Sequence, residues 1–160
     1  MSRRKTFGAV GLLALALVGA LVPLLVSRQL DAADAWFIDS PSLSFEAKQG
    51  QPLYLSVGVH YRGPFRIEME RIEAVSATDE PLLPAFLAPA GGLSDEPFPH
   101  MAPLSWPLVL NPGDHVNVVF PMDDHHRPLH IQAMRVVYRW WLIRRERNFV
   151  VDYQIGEVTP

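Results

Sequence analysis

Residues 6–26 carry no charge, and Arg3, Arg4 and Lys5 stand immediately before them. An apolar run of about twenty residues in helical form matches the hydrocarbon thickness of a bilayer. This one is apolar all round, so as a helix it has no polar face to turn toward water. Pro23 lies near the end of the run, where a membrane helix tolerates it. The run therefore predicts a transmembrane signal anchor. Positive charge marks the cytoplasmic flank of such a helix. Arg28 alone follows the run and is countered by Asp31 and Asp34, so the expected orientation is N-terminus inside and the rest outside. A cleaved secretory signal is the competing reading. Ala33-Asp34-Ala35 fits its small-x-small rule but lies nine residues beyond the run, and Val18-Gly19-Ala20 fits it inside the run.

This divides the chain into a basic tip and anchor over residues 1–27, a short stalk over 28–35 and an extracytoplasmic domain over 36–160. The expected location is the cell membrane, single-pass, with the bilayer held by residues 6–26. If the signal were cleaved, the domain would be secreted. The domain is long enough to bury a sizeable core. The chain has no cysteine, which excludes disulfides, thiolate metal ligands, a cysteine nucleophile and a lipid-modified cysteine. Asn111, Asn117 and Asn148 all lack the Asn-x-Ser/Thr context for glycosylation. All seventeen acidic residues follow the anchor, and the domain is about six charges negative, which argues against nucleic acid as a partner.

Within the domain the dominant signal is alternation with period two, the mark of half-buried strands. It is cleanest over residues 52–61, where Leu53, Leu55, Val57, Val59 and Tyr61 share one face. Trp36, Phe37 and Ile38 read as a first short strand, and Leu43 and Phe45 mark a second over 42–48. Phe65, Ile67 and Met69 alternate until the phase slips at Arg71, where a β-bulge is expected. Residues 81–103 are proline-rich and predict a long loop covering one open end, with a helical turn near Ala85. Leu104, Trp106, Leu108 and Leu110 alternate, and Pro107 points to an edge strand. The turn Asn111-Pro112-Gly113-Asp114 is expected to join that strand to Val116, Val118 and Phe120 as a hairpin.

Residues 129–142 form the longest strand candidate, with a second bulge because Leu129 and Ile131 are out of phase with Met134, Val136 and Tyr138. A charged turn at 144–148 is expected to lead into a last strand carrying Phe149, Val151, Tyr153 and Ile155. Seven or eight strands with frequent turns predict an all-β, antiparallel, immunoglobulin-like β-sandwich preceded by one transmembrane helix.

No nucleophile elbow, phosphate loop or cysteine is present, and Arg66, Glu68 and Glu70 read as a charged outer strand face. The expectation is a protein that is not an enzyme and acts by contact with another envelope component. Its contact residues are expected on the last hairpin: Arg135, Arg139 and Trp141 on an outward face, with Arg144, Arg145 and Arg147 at the tip. Arginine and tryptophan are enriched at interface hot spots, and arginine also recognises anionic groups. No cofactor is expected on this reading. The alternative is a copper or zinc site using His125, His126 and His130, with His100 and Met101, since imidazole suits both metals. His60 and His115 fall on outward strand positions and are expected to be surface residues.

Overall fold

The computed structural model describes residues 3–30, 35–39, 42–48, 50–76, 81–122 and 129–158. One helix, α1 (Arg3–Leu30), precedes eleven strands: β1 (Trp36–Ile38), β2 (Ser42–Lys48), β3 (Leu53–Tyr61), β4 (Ile67–Ser76), β5 (Phe86–Ala88), β6 (Gly92–Ser94), β7 (Ala102–Pro103), β8 (Leu108–Leu110), β9 (His115–Met122), β10 (Leu129–Trp140) and β11 (Ile143–Val158). The side chains of α1 are described over residues 15–26 and 28–29. Among the described residues no helix is long and apolar enough to cross a membrane.

The strands form two sheets, ordered β1-β3-β9-β5-β7 and β2-β11-β10-β4-β8, with β6 also paired to β3. The protein is thus an all-β sandwich with one shared core. Its first sheet buries Leu53, Leu55, Val57, Val59 and Tyr61 from β3, and Val118 and Phe120 from β9. The second sheet buries Ile67, Met69 and Ile72 from β4, Met134, Val136 and Tyr138 from β10, and Val151, Tyr153 and Ile155 from β11. Trp36 closes one end, with its ring centroid 4.9 Å from those of both Tyr61 and Tyr138, one in each sheet. The turn after β3 brings Gly63 under the Tyr61 ring. A Cβ there would lie 2.4 Å from the Tyr61 hydroxyl oxygen, so a side chain would displace a buried aromatic.

Both expected bulges are present. Val137 faces Arg71 while Tyr138 faces Met69, which leaves Glu70 as the extra residue of β4. The β10 register also shifts between Ile131 and Ala133, which restores the inward phase of Leu129 and Ile131. β8 is an edge strand, as Pro107 implied.

Four expectations are corrected. The residues 108–110 and 115–122 do not form a hairpin: β8 pairs with β4, and β9 pairs with β3 and β5, so the Asn111–Asp114 turn crosses between sheets. That turn is built as expected, with the Asn111 N–H donating to Asp114 Oδ2 at 2.7 Å. Its end continues the first sheet because the Tyr61 N–H donates to Asp114 O and the Gly113 N–H donates to Tyr61 O. The sandwich is not wholly antiparallel, since β2 runs parallel to β11. The segment 81–103 has no helical turn near Ala85; it contributes β5, β6 and β7 to the first sheet. Residues 144–148 are not a turn. The reversal falls at Trp141 and Leu142, and the arginines lie within β11. Trp141 adopts a left-handed conformation there, with φ of 51°.

Candidate functional site

Of the six arginine and tryptophan residues expected to form one contact surface, the fold divides the set. Arg135, Arg139 and Arg144 lie in a ladder of ion pairs across β4, β10 and β11. Arg135 donates from Nη1 to Glu73 Oε1 at 2.8 Å and lies 3.2 Å from Glu146. Arg139 pairs with Glu68 and, at 3.4 Å, with Glu70; Arg144 reaches Glu70 at 2.7 Å. Arg71 completes the set at Glu73. Four arginines therefore meet four glutamates. Arg71 reaches Glu73 along β4, and Arg135, Arg139 and Arg144 reach theirs from other strands, where opposite charges support a sheet. Arg145 and Arg147 fall on the alternate phase of β11, opposite Tyr138 and Val136, and the Arg147 guanidinium lies 5.3 Å from the Phe149 ring centre. Trp141 sits at the turn, 76% exposed, beside Leu142 at 80%.

The metal ligands expected from the sequence are not brought together among the described residues. His125 and His126 lie outside them. His130 is taken up by Asp152, at 2.8 Å, and His100 sits exposed at a positive φ of 58° with Met101 beside it. The His130 ring and the Gln154 amide hold the Asp152 carboxyl below its ordinary range, the Gln154 contact contributing most.

A different cluster does form. His60 on β3 and His115 on β9 are directly opposite in register. The Tyr61 N–H bonds to Asp114 O, which makes His60 and His115 a non-hydrogen-bonded pair, the position where facing side chains approach most closely. Their rings stack with centroids 3.8 Å apart and planes 6° from parallel. Asp39, just past the end of β1, turns its carboxylate to both. His60 Nε2 lies 3.0 Å from each Asp39 oxygen, and His115 Nε2 lies 3.5 Å from Oδ2.

The place of Asp39 is set from its backbone. Its N–H donates to Gly58 O at 2.9 Å, and the Tyr153 hydroxyl, from the opposite sheet, donates to its carbonyl at 3.2 Å. β1 and β6 pair with opposite ends of one edge of β3, so Asp39 leaves β1 at the gap between them. A cavity of about 330 Å³ opens at this gap, lined by Asp39, Leu43, Leu55, Gly58, Gly91 and Tyr153. Sequence reading placed both histidines correctly on outward positions, but nothing local could show that strands 54 residues apart pair face to face.

Burial, with the nearby Asp39 charge as a smaller cause, pushes the Tyr153 hydroxyl up to about 12. The unfolded chain releases this proton near its ordinary value of 10.0, before the folded one does. Stability is then fully present below pH 10 and is lost as pH rises toward 12, by roughly 2–3 kcal/mol for a shift of this size. Urea midpoints at pH 9 and 11.5 should show a drop that is visibly smaller in Tyr153→Phe. Equal drops in the two proteins would refute the assignment.

Fold and cluster together define the class: an all-β, two-sheet sandwich with a histidine–aspartate cluster on one outward face. No protein-family model matches the chain, and no curated protein matches it. Among solved structures it is similar to the ASH / PapD-like domain of human CEP192 (PapD-like domain 7), at 11% identity over 78% of this chain and 87% of that one, with a TM-score of 0.42. It is also similar to a family 123 glycoside hydrolase from Clostridium perfringens, at 12% identity over 78% of this chain, with a TM-score of 0.45. The chain spans 27% of that hydrolase's length. At these values neither likeness assigns a role to any residue here.

Proposed function

We propose that the chain is a membrane-anchored extracytoplasmic binding module without catalytic activity: α1 lies in the bilayer, and an immunoglobulin-like sandwich outside it acts by contact with another envelope component. One observation carries the reading. Leu15, Leu17, Val18, Leu21, Val22, Leu24 and Leu25 of α1 are between 48% and 76% exposed, and of the helix's described apolar side chains only Val26 is buried against the domain. Burying one such side chain is worth about 1.5–3 kcal/mol. Leaving seven in water forgoes on the order of 10 kcal/mol, comparable to the whole net stability of a small domain. The apolar run of residues 6–26 would measure about 32 Å as one helix, the thickness of the hydrocarbon core, whereas the described side chains cover residues 15–26 of it and fall short of a span by themselves. The turn residues Trp141 and Leu142 supply the apolar contact element of the module, and the neutral ladder behind them stiffens the hairpin that presents it.

The full chain should remain with the membrane through an alkaline carbonate wash. The double variant Leu17→Lys/Leu21→Lys should be released, because each lysine at mid-membrane costs about 2.5–3.5 kcal/mol. Extraction of the unaltered chain by carbonate would overturn the reading.

A further inference from the structure

We infer that Asp39, His60 and His115 form a binding site for one divalent transition-metal ion, Zn²⁺ or Cu²⁺, distinct from the histidine-rich segment at 125–130. The donor set is the first ground. Neutral imidazole with a carboxylate oxygen suits these two ions among the divalent metals, whereas calcium and magnesium prefer oxygen alone. Among the described residues these three are the ones whose ligand atoms converge, all lying within 4.8 Å of one another.

The spacing is the second ground. Zinc holds nitrogen at 2.0–2.1 Å and carboxylate oxygen at 2.0–2.2 Å in a tetrahedron, which sets neighbouring donors about 3.3 Å apart. The nitrogen-to-oxygen separations from Asp39 Oδ2 are 3.0 Å to His60 and 3.5 Å to His115. A metal enters by spreading the two stacked rings, since the lone pairs of parallel imidazoles run side by side and do not converge.

The third ground is the space kept clear around the donors. A Cβ on Gly58 would stand 2.2 Å from Asp39 Oδ2 and 2.8 Å from His115 Nε2, so only glycine at this position lets the donors meet. Asn117, opposite Gly58 and two residues beyond His115 on the same face, is 6% exposed, and its Oδ1 has no hydrogen-bond partner among the described residues. The main chain of Asp39 is held by Gly58 and Tyr153, which fixes where its carboxylate starts from independently of the imidazoles. Three protein ligands leave a fourth position for water or an added ligand, the pattern of an open site.

The test uses the full chain in detergent micelles, stripped with a chelator and titrated calorimetrically with Zn²⁺ and, separately, Cu²⁺. The background is His125→Gln/His126→Gln/His130→Gln, so that the histidine-rich segment contributes nothing. Binding of one ion per chain at micromolar or tighter affinity is expected. Loss of a supporting group around a metal already costs 10- to 100-fold in affinity, so His60→Gln, His115→Gln and Asp39→Asn should each weaken binding by about 100-fold or more. The isosteric Asp39→Asn variant keeps the test informative if a histidine variant fails to fold. Electron spin echo of the Cu²⁺ form adds a readout that needs no change at the site: it should show two bound imidazoles. No binding in this background, undiminished binding in the three variants, or fewer than two imidazoles on copper would overturn the site.

Discussion

Replacing Trp36 by alanine should destabilise the domain by about 3–5 kcal/mol, the range for emptying a buried aromatic site. Trp36 is 3% exposed and stands where the two sheets meet, 4.9 Å from Tyr61 and Tyr138 and 6.5 Å from Phe149 by ring centroids. Each such aromatic pair adds about 0.5–1.5 kcal/mol beyond the area it buries. These partners sit on strands β3, β10 and β11, which cannot close over the vacated volume without giving up their own ladders. The loss would take a fifth or more of the 5–15 kcal/mol that holds a domain of this kind together. Trp141→Ala is the internal comparison. It removes a ring of the same size from a turn where 76% is exposed, and should stay within about 0.5 kcal/mol. Urea unfolding of the two variants should give well-separated midpoints with a common slope. Similar midpoints would mean that Trp36 does not close the core.

The ion-pair ladder should respond asymmetrically to loss of its two signs. Glu73 is 2% exposed, and its carboxylate is held by Arg135 and Arg71, whose side chains are 39% and 48% exposed. Arg135→Ala leaves a buried carboxylate with one cation in place of two and should cost about 3 kcal/mol, the low end for breaking a buried pair because Arg71 remains. Glu73→Leu removes the buried charge itself. The two arginines are exposed enough to turn into water, and an apolar replacement for a buried ion is often neutral. Its cost should therefore stay under about 1 kcal/mol. Equal costs for the two variants, measured by urea midpoint, would show that Glu73 is better hydrated than its burial implies.

The same ladder changes how the arginine-rich end of the chain is to be understood. Five arginines between 135 and 147 suggested a cationic surface. Three of them, Arg135, Arg139 and Arg144, pair with Glu68, Glu70 and Glu73, which lie more than sixty residues earlier and meet them because β4 pairs with β10. What remains unbalanced at the end of that hairpin is apolar, the Trp141–Leu142 turn. The fall of the turn there, and not among the arginines, follows from pairing Trp140 with Ile143, which extends the β10–β11 ladder to its full length.

Local order was legible wherever it repeats over neighbouring residues. Alternation named the inward faces of β3, β4, β10 and β11, and breaks in its phase located the bulges at Arg71 and near Gln132, because side-chain direction in a strand depends only on the residue's place in the pleat. Hydropathy likewise set apart residues 6–26 before any contact was known. Which strand lies beside which carries no such local signature. Nothing in residues 108–122 distinguishes a hairpin from a crossing between sheets, since both use a four-residue turn, and burial of Leu110 opposite Ile67 settles the matter. The parallel pairing of β2 with β11 is of the same kind, joining Leu43 to Tyr153 across most of the domain. The cluster of Asp39, His60 and His115 also belongs to this second category. Its residues are ordinary where they stand in the chain, and they become a site only when β1 and β9 pack on opposite edges of β3 and Gly58 leaves them room to meet.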